Sequence, residues 1–346
     1  MQLKNVIRAV AATAFLMLSS LAAAFITPTV PITLSQPGNS PGLNNTFING
    51  PAADTVYALG NGVSNFVGGG PSGNAGLNVN RYALGRGTGA AAAPGAPQWN
   101  VWGAYSHSNV GYDYAPLSSA GNVKIYLAGV DYTFSNHVVF GVATAFDHMS
   151  TDLNFSAGKL DGSGYTISPY VGMLINKNIS LDATIGYGRS DIDTATSGVT
   201  GSTHSDRTIG ALGLTYRQAI GAWTLTGRGA LLGVHNKLGS YTLSDGSSVA
   251  DSTSNLAQIR LMGQAAYTYK QFTPYVSIAY INDINRPDQA PILGIPASND
   301  RDGWRPAVGI RFRAENTIYG GVQYSSERGR SQITNNMFLF NVGIRF

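Results

Sequence analysis

The 346-residue chain is 43% hydrophobic and 10% aromatic but only 12% charged, about half the charge of an ordinary water-soluble domain. Its net charge of +4 is small and unclustered, which argues against a nucleic-acid surface, and it has no cysteine, which excludes disulfides, thiolate catalysis and Cys-ligated metals. Beyond the N-terminus no apolar run approaches the ~18–20 residues of a membrane helix, so a multi-span helical protein is excluded too.

Residues 1–24 carry the three parts of an export signal. Lys4 and Arg8 form a positive start, Val10 to Leu21 an apolar stretch, and Ala22-Ala23-Ala24 an A-x-A cleavage region at Ala22 and Ala24. Residues 25–97 are expected to be a Gly/Asn/Pro-rich passenger, linker or plug. They hold only three charged residues, Asp54, Arg81 and Arg86. The runs 67–71 and 90–95 read as flexible linker. A short helix is expected over 52–66 from apolar spacing at Val56, Leu59, Val63 and Phe66, weakened by Gly60 and Gly62.

From Gln98 to Phe346 the hydropathy alternates with period two, and twelve strands are predicted: 98–107, 122–134, 137–148, 163–175, 178–191, 205–218, 222–236, 255–269, 272–283, 302–313, 316–326 and 335–346. Each is long enough to cross a membrane at a tilt. Ile167, Pro169, Val171 and Met173 share one face, against Thr166, Ser168, Tyr170 and Gly172. Likewise Pro306, Val308, Ile310 and Phe312 oppose Arg305, Ala307, Gly309, Arg311 and Arg313. The polar face suits a hydrated lumen. Tyr187, Tyr267, Tyr280 and Trp304 near strand ends suit aromatic girdles on the lipid face. Connections alternate between long and very short ones, as expected when loops face outside and tight turns face the periplasm. The fold class expected is all-β: a twelve-stranded antiparallel transmembrane β-barrel with an N-terminal linker or short helix in or near the lumen. In the last strand Phe338, Phe340, Val342, Ile344 and Phe346 share one face. That pattern reads as a barrel-assembly signal, captured by strand augmentation.

Several stretches together resemble the autotransporter β-domain, the translocator of type V secretion. They are Ala128-Gly129-Val130-Asp131-Tyr132-Thr133-Phe134-Ser135 with Phe140-Gly141-Val142, then Phe272-Thr273-Pro274-Tyr275-Val276-Ser277-Ile278-Ala279-Tyr280, and the closing Asn341-Val342-Gly343-Ile344-Arg345-Phe346. The resemblance covers about 98–346. It implies a lumen threaded by a helix or linker that leads to an N-terminal segment exported to the surface. The departure is that segment, about 73 residues after signal removal with no solenoid repeat. Some relatives cleave the passenger at an Asn-Asn bond inside the pore. Asn44-Asn45 is such a pair, a weak signal in so Asn-rich a stretch.

Enzyme chemistry finds little support. His107, His137, His148, His204 and His235 are dispersed, and the spacing does not force His204 or His235 against Asp206 or Asp251. Asp191 and Asp193 lack a Gly-spaced oxygen-ligand loop, and Gly85 to Gly89 lacks the strand–helix context of a phosphate cradle. No catalytic residue, metal or cofactor is assigned. Charge is expected to act in the lumen, where Arg217, Arg228, Arg260, Arg305, Arg311, Arg313 and Arg345 face Asp131, Asp147 and Asp182. These charges are expected to pair across the lumen and hold the plug segment, or alternatively to favour anions in an open pore.

The function expected is an outer-membrane autotransporter-type barrel of a Gram-negative bacterium, exported by the general secretory route, that anchors and translocates or displays its N-terminal segment. The alternatives are a stand-alone or plugged pore, and an adhesin acting through the 237–254 and 284–301 loops. Expected partners are outer-membrane lipid, the barrel-assembly machinery and periplasmic chaperones. No nucleic acid is expected, and the barrel is expected to be monomeric.

Overall fold

The computed structural model describes residues 44–55, 57–58, 98–135, 138–314 and 318–346. The signal segment with Ala22 and Ala24, the linker runs, residues 75–97, Asn136, His137 and Glu315 lie outside the described residues, as do Val56, Leu59, Val63 and Phe66 of the expected helix.

Alternating side chains cannot satisfy the backbone of an isolated strand in an apolar medium, so the strands must close on one another. They do. In chain order they are β1 (Gln98–Tyr112), β2 (Ser119–Ser135), β3 (Val138–Leu153), β4 (Gly158–Leu174), β5 (Ile179–Thr196), β6 (Val199–Ile220), β7 (Trp223–Leu238), β10 (Ser252–Tyr267), β11 (Phe272–Asn285), β12 (Asp302–Ala314), β13 (Ile318–Glu327) and β14 (Ile333–Arg345). A two-stranded hairpin, β8 (Tyr241–Thr242) and β9 (Ser248–Val249), sits within the β7–β10 connection. The twelve long strands form one closed antiparallel barrel in which each pairs with its chain neighbours and β14 pairs with β1. The seam runs from Asn100↔Arg345 to Tyr112↔Ile333. At its end Trp99 and Phe346 exchange two backbone N–H···O bonds of 3.1 Å.

The alternation sorts the side chains as the sequence pattern implies. Ile167 and Pro169 are exposed on the outside of β4, while Thr166, Ser168 and Tyr170 are buried inside. Phe338, Phe340, Val342, Ile344 and Phe346 all lie on the exposed outer face, with Leu339 and Asn341 turned in. Aromatic rings cluster toward both rims of the outer face. Trp223 meets Tyr267 at 5.1 Å between ring centres, and Tyr280 meets Trp304 at the same distance. On β11, Phe272 and Tyr280 are eight residues apart, about 20 Å of vertical rise at ~3.3 Å per residue and a ~40° tilt. That approaches the ~25 Å apolar band of an outer-membrane barrel.

One expectation needs correction. The loops at the outer rim are not uniformly long, because the ladder runs further than the sequence suggests. β5 and β6 stay paired up to Thr196↔Val199, leaving only residues 197–198 as a turn with Ser197 and Gly198 at positive φ. β3 and β4 are joined by 154–157 alone. Above the lipid both faces of a strand are wetted, so Ser, Thr, Asp and Gly replace apolar residues and mimic loop composition. The interstrand hydrogen bonds persist regardless. Long connections remain at 239–251 and 286–301.

The short helix begins earlier than expected, and the described part of the expected span, 52–55 and 57–58, is helical. A π-helical turn, Asn44–Asn49, continues as helix through residues 50–55 and 57–58. Pro51 is the eighth residue of the helical run, just past the π-helical turn, and the Thr55 hydroxyl donates to the Pro51 carbonyl at 3.0 Å. Gly and Ala content hides this helix from an apolar-periodicity reading.

Candidate functional site: a helix seated in the lumen

The lumen has two unlike walls. On β2 to β5 it presents Val123, Ile125, Leu127, Ala143, Ala145, Met149 and Ile192, all buried. On β10 to β14 it presents Gln258, Arg260, Asp283, Arg305, Arg311 and Glu327. The helix lies between them and matches each side. Phe47, 1% exposed, belongs to the apolar cluster that includes Trp102, Val123, Ile125 and Met149. Ala52 and Ala53 pack with Ile209, Leu232, Val234 and Leu256. Their small size lets the helix axis approach the wall.

Polar contacts fix its rotation and depth. Asp54 bridges two guanidiniums, Arg305 at 2.6 Å and Arg260 at 2.7 Å, and accepts from the Asn335 amide at 3.3 Å. The Tyr57 ring lies 5.0 Å from Arg260 and 5.4 Å from Arg228. The Asn49 amide donates to Ser254 at 2.7 Å. Ser254 and Arg260 are six residues apart on β10, ~20 Å along the strand or ~15 Å of depth once tilted. Asn49 to Tyr57 spans ~12 Å of helix. The helix therefore runs down the lumen, its N-terminal end toward the outer rim and its C-terminal end toward the rim where β1 begins.

Around the helix, charges pair along the lumen wall rather than across it, between nearby strands or within one segment. Arg228 grips Asp182 with two bonds of 2.6 and 2.9 Å and also donates to Thr215. Arg207 pairs with Asp147. Arg305 holds Glu327 at 2.6 Å, Arg330 reaches Glu327 at 3.2 Å and Asp283 at 2.9 Å, and Arg286 lies 3.6 Å from Asp283. Facing lipid, an arginine would cost ~2–4 kcal/mol at the midplane.

Nearer the inner rim, Arg311 stacks on Tyr275 at 3.8 Å and donates to Gln264 at 2.8 Å. Arg217 is buried on the lumen face of β6, and Arg313 and Arg345 are half-buried there on β12 and β14. Asp131 accepts from Tyr170 at 2.9 Å and Asn100 at 3.0 Å, while the Trp102 indole donates to Tyr170 at 3.0 Å. Gly129 and Gly141 lie flat beneath the Trp102 and Tyr170 rings, where a Cβ would overlap them.

Strand spacing thus points to ten lumen charges but misses Asp54 as their partner, along with Arg207, Asp283, Arg286, Glu327 and Arg330. One signal exists for Asp54, the single carboxylate in residues 25–97. Among the described residues no hydrogen bond or ion pair joins a histidine to the outer carboxylates Asp191, Asp193, Asp206 and Asp251. His235 faces the Asn255 side-chain oxygen at 2.7 Å, Asp206 accepts from Tyr187 at 2.9 Å, and Asp193 accepts from Ser202 at 2.6 Å. Among the described residues no three metal-ligating side chains gather. Asn44 and Asn45 fall in the π-helical turn.

The 286–301 loop arches over the outer mouth. The buried Tyr114 hydroxyl accepts from the Ile292 amide at 2.9 Å and donates to the Ile295 carbonyl at 2.7 Å. Ile292 and Ala297 pack on the cluster that contains Phe47, Tyr114 and Leu117. Asp300 accepts from the Ser331 amide at 2.8 Å and hydroxyl at 2.6 Å. Hydrogen bonding by Ser298 and Ser331 holds its carboxyl down at about 2.

A closed barrel with aromatic rims, a charged lumen and a helix seated in it defines a transmembrane β-barrel with an occupied lumen. The sequence profile of the autotransporter β-domain matches residues 99–325, and the chain belongs to that family. Its barrel is accordingly an outer-membrane translocator, the family's members being outer-membrane proteins of Gram-negative bacteria. Among solved structures it is similar to the translocator domain of the autotransporter NalP from Neisseria meningitidis, at 14% identity and a TM-score of 0.62. That match covers 72% of this chain and 88% of the other. It is also similar to the β-domain of the Bordetella autotransporter BrkA, at 12% identity and a TM-score of 0.59, covering 71% and 98%. No curated protein matches the chain.

Proposed function

We propose that the barrel displays the residues preceding Asn44 on the cell surface and that the lumen helix is the stalk tethering them. One observation carries the reading: the helix descends from Asn49, bonded to Ser254 near the outer rim, to Tyr57, against Arg260 and Arg228 deeper in the lumen. Such a polarity points the preceding chain outward, and it leads the following chain toward the inner rim, where β1 starts. The energy would come from folding the barrel and seating the helix, with no nucleotide involved.

In this reading the general secretory route delivers the chain, with cleavage near Ala22 and Ala24. Periplasmic chaperones hold it unfolded, and the assembly machinery captures β14 through Phe338, Phe340, Val342, Ile344 and Phe346. Their shared lipid-facing side suits strand augmentation. The barrel acts as a monomer.

The test places one epitope tag near Ser40 and another at 247–252, then probes intact cells with antibody and protease. Both tags exposed is the expected result. A tag near Ser40 that stays hidden while the loop tag is exposed would overturn display and leave a plugged pore.

A further inference from the structure

We propose that the helix and the 286–301 loop form one coupled device, in which helix occupancy, sensed through Asp54, keeps the loop closed over the mouth. This rests on the reading that the helix occupies the lumen.

The physical link is a continuous run of ion pairs. Asp54 holds Arg305 and Arg260, and Arg305 holds Glu327. Glu327 and Asp283 both hold Arg330, and Asp283 faces Arg286. Arg286 then donates to the Asp300 carbonyl at 2.8 Å, inside the loop itself, and Arg330 reaches the Arg301 carbonyl at 3.3 Å. The loop's other ties run from Asp300 to Ser331 and from the Ser298 amide to Gln332 at 2.8 Å. Each of the arginines 260, 286, 305 and 330 is nine-tenths buried at the side chain, so none can turn to bulk water when a partner leaves.

The charge count decides the direction. With the helix seated, four arginines face three carboxylates, Asp54, Glu327 and Asp283. Withdrawing Asp54 leaves four against two. Arg260 already contacts Asp283 through Gln258, to which it donates at 2.7 Å and which donates to Asp283 at 2.7 Å. Asp283 is therefore the carboxylate that shifts toward Arg260, away from Arg286, and Arg286 loses what aligns it with Asp300. An empty lumen opens the loop; a seated helix shuts it. The mouth then yields to a passing chain and closes once the helix arrives.

The chain has no cysteine, so spin labels can be placed without background. In the full chain, in lipid, one pair joins Ala115→Cys with Ala290→Cys across the mouth. A second joins Ala58→Cys with Tyr269→Cys and reports the helix against the inner rim. Asp54→Asn is expected to replace the single mouth distance by a longer, broader one. Asp283→Asn, which leaves Asp54 with both arginines, is expected to do the same while the helix pair keeps its distance. A mouth distance unchanged in either correctly folded variant overturns the coupling. A helix pair with no fixed distance in the unsubstituted background overturns the occupied lumen as well, which separates the two failures.

Discussion

The two walls of the lumen do different work on the same helix. The β2–β5 wall offers apolar surface that accepts Phe47. Such packing is strong but non-directional, so on its own it would tolerate a helix rotated or slid by a residue. The β10–β14 wall offers Arg260 and Arg305 at fixed points, and Asp54 can satisfy both in only one rotation and one depth. Apolar contact holds the helix in; charge decides where it stops. A buried ion pair is weak evidence for net stability but a good device for register.

The contrast can be broken by substitutions. Phe47→Ala should have the largest effect, removing about 4 kcal/mol from the helix seat. The amides of residues 47–55 would then lose their hydrogen-exchange protection while the barrel strands keep theirs. Asp54→Asn should cost somewhat less, about 3 kcal/mol, since Arg305 keeps Glu327. Ion conductance across planar bilayers should rise in both. A larger loss from Asp54→Asn than from Phe47→Ala would mean that charge, not packing, holds the helix.

Gly141→Ala sharpens the contrast by acting on the barrel alone. A methyl group there meets the Tyr170 ring, and overpacking of this kind costs about 2 kcal/mol. Urea unfolding in micelles should shift to lower midpoint without exposing the helix. The smallest effect concerns the outer loop. The Asp300 carboxyl is held down at about 2, below its unfolded value of ~3.9. The group therefore contributes stability that is fully present above about pH 4 and lost as pH falls through 2. The Ser331 amide resonance should stay put from pH 7 to 4 and move only below that.

Much of the barrel is readable in the sequence because period-two alternation is local. Arg305, Arg311 and Arg313 declare their face by spacing alone, and so do Phe338 to Phe346. The helix is not readable in that way. Its recognition of the walls is tertiary: Asp54 meets arginines some two hundred residues away, and Ala52 and Ala53 serve closeness to a wall rather than an apolar stripe along the helix. Strand ends are underestimated for a related reason. The sequence reports what each face touches, and above the lipid both faces touch water.

The height of that wetted ladder bears on who can reach the displayed chain. At 22 residues, β6 rises about 55 Å when tilted, roughly 30 Å more than the apolar band requires. On that side the mouth stands on a stiff collar rather than flush with the lipid headgroups. A molecule arriving from the medium would meet the emerging segment well above the lipid surface. Even a short displayed chain would then stay within reach of antibodies, proteases and neighbouring cells.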